Sequence, residues 1–300
     1  MKATLTTPAW RGAPRYRGLG AAILGVALIT SCASGPRFAD GIEPERALPS
    51  GALAYARLDR TVLAELLAAY GGSDAAKAAK PMTDRTDSVV AAIMPGSPDR
   101  AGGLPVLVAV ASGRYPSGAA AFKLGSDADW QREGQAWKQK NGELRVSFAG
   151  NSTVLLGTRT LDELTAAVID PGPSPIPDRW RTAWSADVAL YLPDPLSALA
   201  GSLPITPDSI PLRALTLSAT RHDTGYATVL SFEFEDERAA LVYAPLCRLF
   251  LYAAANSFWP DRARVILGAA SWSSGGTLVS VSGLDLDAAE LAAFAASAGR

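Results

Sequence analysis

The sequence predicts an α+β protein of two similar halves, each an antiparallel sheet of hairpins with helices on one face, in a ferredoxin-like or related arrangement. Three observations carry this. The order strand, helix, hairpin, helix, hairpin, helix can be read twice along the chain. Pro171, Pro173, Pro175 and Pro177 alternate between the two readings, where fixed backbone dihedrals favour an extended connector. The chain has 300 residues, 48% of them hydrophobic and 19% charged, which is enough to bury a core in each half.

In the first half, residues 52–58 alternate as a strand, and Asp59 can cap a helix whose Val62, Leu63, Leu66, Leu67 and Tyr70 fall at helical spacing. A second helix is expected over 83–94. Strands at 106–112 and 119–124 follow, joined by a turn with Gly113, Pro116 and Gly118. Residues 129–140 read as a short polar helix with Trp130 and Trp137 seven apart. A hairpin of 143–148 and 153–157 and a helix over 161–168 close the unit.

The second half repeats the order. A strand at 188–192 leads to a short helix from Asp194 and Pro195. Strands 212–221 and 226–234 form a hairpin, a long helix spans 237–258, strands 264–272 and 277–284 form another hairpin, and 287–296 closes as a helix. The expected organisation is therefore a leader (1–31), a flexible tether (32–50), a first repeat (51–169), a Pro-rich linker (170–180) and a second repeat (181–300).

The leader carries Lys2, Arg11, Arg15 and Arg17 and no acidic residue, ahead of an apolar run from Leu19 to Ile29. Eleven helical residues rise only about 16 Å, short of a bilayer core of about 30 Å, which describes a secretory signal rather than a span. The run ends in Ile29-Thr30-Ser31-Cys32, which resembles the lipobox of bacterial lipoproteins. That resemblance implies cleavage before Cys32, diacylglycerol on its sulfur and an acylated new amino terminus. It further implies an exported protein anchored to a bacterial membrane through the lipid. Ala33 follows the cysteine in place of an inner-membrane-retaining Asp, which favours the outer membrane where there is one. Loss of the four basic leader residues from 28 leaves 24 against 29 acidic residues, a net charge of −5 for the processed chain. That balance implies no nucleic-acid partner. With Cys32 acylated, Cys247 has no partner for a disulfide.

Little in the sequence points to catalysis. His222 is the one histidine, and it falls in an expected hairpin turn beside Asp223. One His and one remaining Cys are too few for a usual zinc site, and no phosphate-loop, dinucleotide, HExxH or GxSxG pattern occurs in the processed chain. The acidic stretch 232–237 could suggest calcium, but Phe232 and Phe234 alternate with Glu233 and Glu235 as on a half-buried strand, and Asp236 can cap the next helix. Neither a metal, a cofactor nor a catalytic set is expected. The tryptophans read as core residues rather than a ligand groove.

The most unusual segment is the helix over 237–258, apolar on every side with Arg248 as the charge near its middle. Arg248, Pro245 and Asn256 argue against a span. It is expected either to lie buried between the halves or to lend a face to a partner protein or lipid. The residues of that candidate surface are Leu241, Tyr243, Leu246, Leu249, Phe250 and Tyr252. The expected function is a lipid-anchored, non-catalytic binding or assembly component of the cell envelope, possessing a surface for another envelope protein. A carrier of a small hydrophobic ligand is the alternative, and a hydrolase a more remote one.

Overall fold

The computed structural model describes residues 43–96, 105–199, 210–223 and 225–297; the leader and Cys32 lie outside them. Its centre is one antiparallel sheet of twelve strands. The first half contributes β1 (Ala54–Asp59), α1 (Arg60–Thr83), β2 (Thr86–Met94), β3 (Val106–Gly113), α2 (Ser117–Ser126), β4 (Trp130–Glu133), β5 (Ala136–Gln139), β6 (Arg145–Ala149), β7 (Thr153–Gly157) and α3 (Asp162–Ile169). After α4 (Arg181–Trp184), the second half contributes β8 (Val188–Leu192), α5 (Pro195–Leu199), β9 (Leu212–His222), β10 (Gly225–Phe234), α6 (Glu237–Phe258), α7 (Ala263–Gly268), β11 (Ser271–Gly275), β12 (Leu278–Leu286) and α8 (Ala288–Ser297).

The α+β class and the duplication are both present, and the halves share a single sheet. Outward from the middle, the first half runs β1-β2-β3-β7-β6 and the second β8-β9-β10-β12-β11, the same order in each, with β5 and β4 added beyond β6. All pairings are antiparallel, and each half runs as a three-strand meander followed by a hairpin, an order that differs from the interleaved strands of a ferredoxin-like split. The halves join where β1 pairs with β8, Tyr55 opposite Tyr191 and Leu58 opposite Val188. Tyr55 and Tyr191 stack across this seam with ring centroids 6.1 Å apart. α1 strengthens it: Val62 is buried in the core of the second half, and Glu65 accepts a hydrogen bond from the Tyr226 hydroxyl and pairs with Arg221 at 2.7 Å.

Alternation along the strands divides the core by face. On the front, α1, α6, α7 and α8 cover β8, β9, β10 and β12, and Leu124 of α2 packs with Ala111, Val146 and Val154. On the back, Tyr55, Val90, Val108, Val110, Leu155 and Tyr191 lie under α3, Trp184 of α4 and the flanking segments. The Pro-rich stretch connects the halves while docked on this face, with Ile176 and Trp180 buried. The part of the expected tether inside the described residues is docked too. Pro44–Ala47 forms a 3-10 turn, Ala47 and Leu48 are buried, and the Tyr55 hydroxyl donates to the Pro49 carbonyl at 2.9 Å.

Four segments differ from the sequence expectation. Residues 83–94, expected helical, hold β2: Val90 and Ala92 face the back core and Val89 the front, so a strand buried on both sides shows no alternation. Residues 119–124, expected as a strand, lie in α2, where the Ala-rich run has high helix propensity. Residues 129–140 are the β4–β5 hairpin, turning at Gly134 with φ +61°, and Trp130 and Trp137 stand on its two strands and pack in the same core cluster instead of sharing a helix face. The strand expected from 264 begins at Ser271, after α7.

Candidate functional site

The long helix α6 is where the structure departs most from a self-contained core. Asp236 caps it by accepting from the Ala239 amide at 2.7 Å, and Glu237 adds negative charge at its positive end. Its inner face, Ala240, Cys247, Leu251 and Ala255, is buried on the second half of the sheet. Tyr243 stacks on Phe234 at 5.9 Å, and Phe250 meets Phe232 edge-on at 6.2 Å. Burial pushes the Cys247 thiol up to about 11, leaving it neutral and inert.

The opposite face is open and largely apolar, with Pro245, Arg248 and Asn256 also exposed on it. Leu241 is 60% exposed, Val242 63%, Leu249 62% and Tyr252 59%, with Leu246 at 40%. Val265 on α7 and Phe122 on α2 are also exposed in the front layer. Arg248 stands over the Trp272 ring at 5.6 Å, the one charge in this stretch. Leu241, Val242, Leu246, Leu249 and Tyr252 recur at helical spacing on this one face, which gives α6 an apolar surface open to another molecule. By length and composition α6 could cross a membrane, yet its inner face is packed on the sheet.

Of the six residues that the sequence offered for an interaction surface, Leu241, Leu246, Leu249 and Tyr252 are exposed together. Tyr243 and Phe250 are turned inward onto the core, because Phe234 and Phe232 supply aromatic partners there. The expectation that α6 is buried between the halves is overturned: the seam is the β1–β8 pairing, and α6 lies outside it on the second half. Val242 belongs to the surface and was missed; it lies seven residues before Leu249, on the same side of the helix.

The other candidates have structural surroundings. His222 ends β9, with Nε2 2.9 Å from the Asp285 carboxylate on β12. Glu233 of the acidic stretch is buried on the back face and accepts from Arg179 Nε and Nη2 at 3.1 and 2.9 Å, tying the Pro-rich connector to β10. Phe232 and Phe234 are buried on the front. Among the described residues no group of three or more His, Cys, Asp or Glu side chains could hold a metal ion. Trp130, Trp180, Trp184 and Trp259 are core residues. An apolar recess under α2, lined by Tyr115, Leu124, Trp130, Phe148 and Leu156 among others, encloses about 30 Å³, far below the size of a ligand pocket.

No protein-family model matches the chain, and no curated protein does. Solved structures do. Crystal forms III, IV and I of TP0453 superpose with TM-scores of 0.62, 0.62 and 0.61 at 16% identity. They cover 86%, 85% and 87% of this chain and 99%, 97% and 100% of theirs. The fold resembles that of TP0453. At this identity the likeness extends to architecture alone, and it spans nearly all of TP0453.

Proposed function

We propose that the protein is an exported, lipid-anchored component of the bacterial envelope that works by binding rather than catalysis. The observation that carries this reading is the outward face of α6, where Leu241, Val242, Leu249 and Tyr252 are each more than half exposed on a helix whose other side is core. Leaving such residues in water is unfavourable by about 25 cal/mol per Å² of apolar surface, which a partner that covers them would recover. The resemblance of Ile29-Thr30-Ser31-Cys32 to a lipobox supports attachment to the membrane, which leaves the folded body free to present this surface to another envelope protein.

A photoreactive residue in place of Leu249, in the intact lipidated protein within cells, should give one dominant crosslinked product. The same probe at Leu251, on the buried side, should give none. Silence at Leu249 would remove the main support for the reading. Loss of membrane association in a Cys32→Ala variant tests the anchor separately.

A further inference from the structure

The two outer edges of the sheet are built differently. β4 ends the first half with Gln131, Arg132 and Glu133 exposed, and charged side chains of this kind keep an edge from pairing. β11 ends the second half as Ser271-Trp272-Ser273-Ser274-Gly275, with no charge and no proline. Among the described residues it pairs with β12 alone, and every residue of it except Trp272 is exposed. β11 occupies the place in its half that β6 occupies in the first. There, β6 is not an edge: β5 adds to it in antiparallel, Trp137 opposite Val146 and Lys138 opposite Arg145. The half-fold therefore accepts a further antiparallel strand at this position. The seam shows a second relevant mode, in which equivalent strands of two similar sheets, β1 and β8, pair antiparallel.

We propose that the β11 edge is the docking site for β11 of a second copy of this chain, the two strands running antiparallel about a twofold axis near Ser273. A twofold contact places each patch against its own image, so an edge carrying charge would meet the same charge. β11 carries none. The neighbouring flank of α6 fits as well. Arg248 over Trp272 shows which flank faces this edge, and Leu241 and Tyr252 share it, seven residues before and four after. The axis brings this flank opposite its copy and shields two exposed apolar residues on each chain. Stacking on Trp272 holds each Arg248 over its own sheet. Val242 and Leu249, further round the helix, stay available to the partner proposed above. Five paired residues make a small interface, and confinement of both copies to one membrane raises their effective concentration; in that respect the inference rests on the lipid anchor.

The test is disulfide crosslinking of full-length protein in its own membranes, with Ser271, Ser273 or Ser274 replaced singly by Cys and Gln131→Cys as the other-edge control. Cys247 is buried, and the substituted serines are exposed. Mild oxidation should convert at least one β11 variant, Ser273→Cys foremost, to a reducible species of twice the mass, with none from Gln131→Cys. No dimer from any β11 variant overturns the proposal. So does an adduct of another mass, or equal dimer from Gln131→Cys, which would be collision. Membrane association of the same samples reads the anchor independently, so failure of one is told from failure of the other.

Discussion

Replacing Leu251 and Leu249 of α6 in turn separates the two faces of the helix. Leu251 is 4% exposed and packs in the core of the second half, so Leu251→Ala removes a fully buried side chain and leaves a cavity. The transfer part is about 1.5–3 kcal/mol, and with the cavity the cost becomes about 2–5 kcal/mol. Leu249 is 62% exposed, so only about a third of that transfer part is at stake and no cavity forms. Leu249→Ala should cost less than about 1 kcal/mol, and Leu249→Asp little more. Thermal unfolding of the purified proteins followed by circular dichroism reads the difference, at roughly 2–4 °C per kcal/mol for a chain of this size. Leu251→Ala should therefore melt roughly 4–20 °C lower, with Leu249→Asp within a few degrees of the unmodified protein. An equal fall for both would mean that the outward face is buried in the protein itself, and the argument for a binding surface would be wrong.

The seam and the connectors give further expectations. Arg179→Ala leaves the Glu233 carboxylate buried without its partner; because half of Arg179 is in water, the cost should be about 1–2 kcal/mol by urea unfolding, and Glu233→Gln should cost less. Gly113→Ala would place a methyl group 2.0 Å from the Arg85 carbonyl oxygen, backbone that cannot swing away, and should lower stability by about 1–3 kcal/mol. Burial holds the Tyr115 hydroxyl up at about 12 and the Cys247 thiol at about 11, above their unfolded values of 10.0 and 9.0. Both groups ionise first in the unfolded chain, so the stability they contribute is whole below pH 9 and is lost as pH rises from there towards 12. Urea midpoints should fall across that range, and Cys247→Ala should flatten the fall between pH 9 and 11; a flat profile in the unmodified protein would refute the burial argument.

Much of the second half was legible because its signals agree. In 237–258 the capping Asp236, the unbroken apolar run and the length all point to one helix, and α6 matches that span. The 212–234 hairpin was equally readable, since its strands alternate or run apolar between polar turns. The first half was harder where burial hides the period. β2 touches core on both faces, so its apolar run imitates a helix, and the alanines of α2 carry helix propensity without a polar face to reveal it. The fusion of the two sheets could not be read at all, because β1 and β8 lie far apart in sequence and their pairing is a tertiary choice. The same holds for the surface: sequence marks α6 as too apolar for one buried face, but only the positions of Phe232 and Phe234 decide that Tyr243 and Phe250 turn inward while Leu249 stays outside.

The most direct test of a binding role for α6 is thiol accessibility at Leu249→Cys, in intact cells and in the purified protein. The exposure of this position predicts rapid maleimide labelling after purification and slow labelling in the envelope, where the face is covered. Equally rapid labelling in both would show that nothing occupies the outward face in the cell, and would contradict the account.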